Sequence, residues 1–212
     1  MTRSILFLMT LGTLVFTQIK AQELVWPQFR GPNCSGHAYG EARPPIEFGE
    51  DSNLKWKIAI PEGVSSPVIW KDHLYLTGCI KENNEMQLLC LNRHTGATLW
   101  TQSFFPEKME GAHSISSPAQ STPALDNEGI YVYAATYGMI GYDHEGNVRW
   151  ESPLPKVSHI WGYASSPVIM DDKVILNQDL VEKMFVAWLP LTNLTVKYVG
   201  KPSPKKYLTS VM

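Results

Sequence analysis

His113, His159, Trp161 and Tyr163 are the side chains in this chain best suited to gripping a ligand. Two imidazoles that donate, accept or ligate and two amphipathic rings stand shortly before Ser/Thr-Pro pairs, Thr122-Pro123 and Ser166-Pro167. The competing reading is plainer: the same rings pack connecting loops against their neighbours. His37, His73, His94 and His144 fall in turns or on edges, where an imidazole is ordinarily solvated. Asp171-Asp172 and Asn177 carry oxygens of the kind that hold calcium, but Asp-Asp ahead of a strand more often reads as a hairpin turn. No pair of carboxylates suited to hydrolysis stands out, so the sequence assigns no catalytic, cofactor-binding or metal residue.

The positioning elements are short and repeated. Trp56, Trp100 and Trp150 close three similar passages, and each is followed by a Ser/Thr-Pro strand start: Ser66-Pro67, Thr122-Pro123 and Ser166-Pro167. Each unit carries alternating apolar runs rich in β-branched and aromatic residues, as in His73-Leu74-Tyr75-Leu76-Thr77 and Ile130-Tyr131-Val132-Tyr133-Ala134, and turn residues break the runs. Four short strands recurring at roughly 45–50 residues predict the blades of a β-propeller. The predicted fold is all-β: four-stranded antiparallel blades forming an incomplete arc of about three. Full blades are expected around residues 64–103 and 120–152, followed by a partial third.

Residues 1–21 read as a secretory signal peptide, with Arg3 ahead of an apolar run and a small residue at Ala21. The run is shorter than a bilayer needs and is interrupted by Thr10, Gly12 and Thr13, so no transmembrane span is expected in the mature chain. Residues 22–53 read as an extended lead-in, 54–190 as the partial propeller and 191–212 as a divergent tail. The net charge of −2 with both signs interspersed offers no footprint for nucleic acid. Three cysteines are too few for a disulfide framework. A hairpin tip near Asn84-Glu85 would set Cys79 opposite Cys90, whereas a small register shift leaves two buried thiols. Asn33-Cys34-Ser35 and Asn193-Leu194-Thr195 match glycosylation sequons, a pattern common by chance.

The passage Cys90-Leu91-Asn92-Arg93-His94-Thr95-Gly96-Ala97-Thr98-Leu99-Trp100 is the most specific in the chain. Asn92 is placed to bond the turn backbone, Gly96 to supply positive φ, and Trp100 to bury a ring against the neighbouring blade. Asp143, Gly146 and Trp150 repeat the arrangement with one residue fewer. This spacing resembles the tryptophan-docking motif of the quinoprotein-like, pyrroloquinoline-quinone (PQQ) repeat propellers, over residues 54 to about 178. Trp26-Pro27-Gln28-Phe29-Arg30-Gly31-Pro32-Asn33 also looks like the opening of exported members.

The resemblance implies an architecture shared by catalytic quinoproteins and by non-catalytic, BamB-like scaffolds. A PQQ-dependent dehydrogenase of this type implies a calcium cage, a catalytic aspartate and often a vicinal disulfide, and no adjacent cysteines occur here. In the third unit Leu189, Asn193 and Lys197 stand where the motif has Asx, Gly and Trp, so the docking motif is lost and the chain reads as truncated. The leading expectation is a non-catalytic, exported scaffold at the cell envelope, periplasmic, outer-membrane associated or secreted, with a protein or envelope-component partner and no cofactor. The alternative is an N-terminal fragment of an alcohol- or sugar-dehydrogenase-like quinoprotein, and PQQ and calcium belong to that alternative alone.

Overall fold

The computed structural model describes residues 24–38, 40, 43–157, 162–180, 183–190 and 197–200. The predicted signal peptide lies outside them. Thirteen strands are found among these residues, in three antiparallel sheets. The first blade holds β2 (Val68–Trp70), β3 (His73–Ile80), β4 (Glu85–Asn92) and β5 (Thr98–Phe104). The second holds β6 (Ala124–Leu125), β7 (Ile130–Ala134), β8 (Gly138–Tyr142) and β9 (Val148–Ser152). The third holds β10 (Val168–Met170), β11 (Lys173–Leu180), β12 (Lys183–Pro190) and β13 (Lys197–Gly200). The all-β arc of four-stranded blades is thus as the repeats predict.

Strand alternation explains why the blades stack. Along β7, Ile130, Val132 and Ala134 enter one core shared with Val68, Tyr75, Leu88 and Phe104 of the first blade. Tyr131 and Tyr133 point the other way and join Val174 and Leu176 of the third. A blade with two buried faces is apolar on both, which is why all five residues of β7 are buried. Leu76, Leu89 and Leu91 of the first blade turn away from the second and form a small cluster of their own.

One open alternative is decided and two local expectations are corrected. The β3–β4 hairpin closes through a 3-10 turn, Lys81–Asn83, with Asn84 left-handed at φ 53°, so Ile80 pairs with Glu85. That gives the shifted register, which leaves two buried thiols: Cys79 faces Met86, Cys90 faces Tyr75, and all three cysteines are free. Leu54-Lys55-Trp56, the first of the three similar passages, is not in a strand as the Trp100 and Trp150 passages are, although Trp56 still docks as described below. The third blade, expected to be partial, has an outer strand: β13 pairs with β12, setting Lys197 opposite Trp188 as Trp100 is set opposite Cys90.

The lead-in does more than extend. Val25–Trp26 (β1) adds a fifth strand to the first blade, inside β2. The chain then crosses the inner strands of the other two. Leu125 N–H donates to Pro27 O at 2.8 Å, and Ile169 N–H donates to the Gln28 side-chain oxygen at 3.1 Å. Gln28 is buried, and its amide nitrogen meets Cys34 Sγ at 3.2 Å. This segment is a strap across the innermost strand of every blade.

Candidate functional site

The docking motif comes first, because it fixes where each blade stands. Asn92 Oδ1 accepts the N–H groups of His94 (2.9 Å) and Thr95 (3.1 Å), and Asp143 Oδ1 accepts those of Glu145 (3.0 Å) and Asn147 (2.7 Å). Burial raises the Asp143 pKa, but hydrogen bonds from the Asn147 side chain and the turn backbone outweigh it, and the carboxyl ends below its ordinary value. Each side chain folds its own turn and leaves a glycine with positive φ, 75° at Gly96 and 91° at Gly146. Onto that bare surface drops the tryptophan of the preceding unit. A Cβ on Gly96 would stand 2.7 Å from the Trp56 ring, and one on Gly146 would stand 3.1 Å from the Trp100 ring. Trp56 Nε1 donates to Arg93 O at 2.9 Å. Trp150 differs: its Nε1 is buried without a partner, and its ring lies against Gly141 and Tyr131 of its own blade.

The Ser/Thr-Pro marks turn out to be a ladder. Ser66 N–H donates to Thr122 Oγ1 at 3.0 Å, and Thr122 N–H donates to Ser166 Oγ at 3.0 Å. Ser121 Oγ donates to Ser165 O at 2.7 Å. Hydroxyls at the start of each inner strand therefore stitch that blade to the next, while the following proline has no N–H left to satisfy.

At the end of the blades opposite the docking turns, a cleft of about 510 Å³ opens among Glu107, Met109, Gly111, Thr136, Lys156 and Val157. Lys156 binds Glu107 across it and lowers the Glu107 pKa. Met109 and Gly111 line the cleft, while Glu110 between them is only 6% exposed. Burial pushes its carboxyl up to about 7.

A family model described as "Outer membrane protein assembly factor BamB", built on the PQQ-like repeat, matches residues 45–186. The chain belongs to this BamB-like, PQQ-like repeat family. No curated protein sequence matches it. Among solved structures, BamB from Moraxella catarrhalis aligns at 16% identity with a TM-score of 0.44. The alignment covers 69% of this chain and 41% of that one, so the chain spans less than half the length of that relative.

The residues singled out from sequence are distributed unevenly among the loops that join the blades. Tyr163 packs edge-on against Tyr133 at 6.2 Å, as a ring holding a connecting loop to a blade. His113 is exposed; its carbonyl accepts Ser116 N–H at 2.8 Å within a local turn. His159 and Trp161 lie outside the described residues. Asp171 has φ 54° in the β10–β11 turn and Asp172 is bonded to Lys173, in keeping with a hairpin. Among the described residues, no group of three His, Cys, Asp or Glu converges.

Sequence reasoning misses the polar groups buried beside Tyr133. Gln178 donates through Nε2 to Tyr133 OH (3.2 Å) and to Pro155 O (2.6 Å), yet its Oε1 has no partner. Glu110 Oε1 and Gln120 Nε2 are likewise buried and unpaired. Nothing in composition or spacing marks them. Glu110 gives a testable sign. Its folded-state pKa lies above the ordinary 4.5, so between about pH 4.5 and 7 the folded chain holds a proton that the unfolded chain has lost. Stability therefore falls as pH rises through that window. Glu110→Gln, which mimics the protonated acid, is expected to leave the urea midpoint unchanged at pH 4 and to stabilise by ~2–3 kcal/mol at pH 8. Equal effects at both pH values would show that the carboxyl is solvated.

Proposed function

We propose that this chain is a non-catalytic scaffold of the cell envelope, exported, and serving outer-membrane protein assembly by holding a protein partner against the cleft between its blade-joining loops. The observation that supports this reading is the match to the assembly-factor family over residues 45–186, most of the repeat array. The cleft adds a surface suited to the task. It joins apolar Met109 and Val157 to the charged Lys108, Glu107 and Lys156, the mixture that protein interfaces favour. No helix among the described residues is long and apolar enough to cross a membrane.

A photo-crosslinking residue at Met109 in the exported chain is expected to trap a partner in envelope fractions. The same probe at Val148, exposed on the outer strand β9, serves as control. Equal trapping at both sites, or none at Met109, would remove the cleft from the proposal.

We also propose that the chain alone binds no quinone. Such a site draws ligands from a whole ring, and here the inner strands of the arc carry the strap from Val25 to Gln28. Titration with PQQ and calcium is expected to leave tryptophan emission unchanged, and a saturable micromolar quench would restore the oxidoreductase alternative.

A further inference from the structure

Two histidines expected to be solvated are instead half-buried around one phenol at the junction of the first two blades. Tyr75, fully buried on β3, places its hydroxyl 3.2 Å from His73 Nδ1 and 3.2 Å from His144 Nδ1. His144 belongs to the docking turn of the second blade. Its other nitrogen, Nε2, lies 2.8 Å from the carbonyl oxygen of Asp126. A carbonyl only accepts, so Nε2 carries a hydrogen in every protonation state.

The remaining hydrogens then have a forced direction. With His144 neutral, its bare Nδ1 takes the Tyr75 hydroxyl hydrogen, and the phenol oxygen in turn accepts from His73 Nδ1–H. When His144 gains a proton, Nδ1–H must donate to the phenol oxygen. The hydroxyl hydrogen then swings to His73, which receives it only if its Nδ1 is bare. With both imidazoles charged, two N–H groups and one O–H crowd a single oxygen, and the buried hydroxyl hydrogen is left only the sulfur of neighbouring Cys90, a weak acceptor. Burial, first, and neighbouring Cys90 and Glu145 raise the Tyr75 pKa well above its ordinary value, so the phenol does not supply relief by ionising.

We propose that His73, Tyr75 and His144 form a relay between the first two blades that takes up one proton by reversing its hydrogen bonds and loosens the blade junction when it takes up a second. The surrounding groups are consistent with a charge-sensitive contact. Trp70 of β2 stacks on His144 at 5.0 Å and 15°, and the Lys71 ammonium stands 5.6 Å over the Trp70 ring. Trp100 of β5 leans on Tyr75 at 5.7 Å. From the second blade come the Asp126 carbonyl and Glu145, the neighbour of His144 in its turn. The Asp126 carboxylate is engaged by Tyr131 OH and by the N–H groups of Glu128 and Gly129. No carboxylate is hydrogen-bonded to either imidazole of the relay among the described residues.

The test follows the imidazole nitrogens of the full chain by NMR between pH 8 and 5. Near pH 8, His144 is expected as the Nε2–H tautomer. In His73→Ala the His144 midpoint is expected to rise by about half a unit or more, because its competitor for the phenol oxygen is gone. In Tyr75→Phe the two histidines are expected to titrate independently. An Nδ1–H tautomer at His144, or an unmoved or lowered His144 midpoint in His73→Ala, would overturn the relay. Because His73 is half-exposed at the end of β3, that variant remains decisive even if Tyr75→Phe does not fold.

Discussion

Gly129→Ala is expected to destabilise the chain by about 3–5 kcal/mol, among the largest effects of any single methyl group here. Gly129 closes the β6–β7 hairpin, and a Cβ there would stand 1.9 Å from the carbonyl oxygen of Tyr142. Backbone meets backbone, so no side-chain rotation relieves the clash. The Asp126–Gly129 turn must open instead, giving up the two N–H groups held by Asp126 Oδ1 and disturbing the carbonyl that His144 uses. Gly141→Ala offers the control: its Cβ would meet the Trp150 side chain first, at 2.4 Å, and part of that strain is relieved by moving the ring. Urea denaturation of the two variants should rank Gly129→Ala clearly lower, and a loss below about 1 kcal/mol there would mean that the hairpin is not built as described.

Trp100→Ala carries the second large effect, about 3–5 kcal/mol if the array unfolds as one unit. The ring joins two blades: it rests on Gly146 of the second and leans on Tyr75 of the first. Removing it empties a contact that neither blade can refill alone. Far-ultraviolet circular dichroism in urea gives the loss directly. A separate early transition for one blade would show that Trp100 couples the units, whereas an unshifted midpoint would detach the docking motif from stability.

The architecture was legible because its signals are local and repeated. Asn92 and Asp143 each sit three or four residues ahead of a glycine, and their side chains fold the turn without help from afar. The unbroken apolar and aromatic run of β7 states directly that the strand has two buried faces. The Cys79–Cys90 question stayed open because register depends on how the hairpin closes, and Asn84 in the left-handed region closes it where composition gives no sign. The third blade's outer strand went unseen because its marker was a tryptophan, and backbone pairing does not require one. His144 and His73 looked solvated because a turn position says nothing of what a neighbouring blade brings against it. The cleft and Glu110 depend on three separate connections meeting, an event written nowhere in the linear order.

The strap from Val25 to Gln28 bears on the order in which the molecule can be completed. An array of repeats ordinarily couples only adjacent units, so each can ripen as soon as it is made. Here the bond between Gln28 and Ile169 spans 141 residues, joining the lead-in to the third blade. A chain that emerges amino end first must keep the Gln28 side-chain oxygen waiting until the third inner strand arrives. The innermost wall is therefore sealed last by the segment that appeared first, and two blades without the third remain an open clasp.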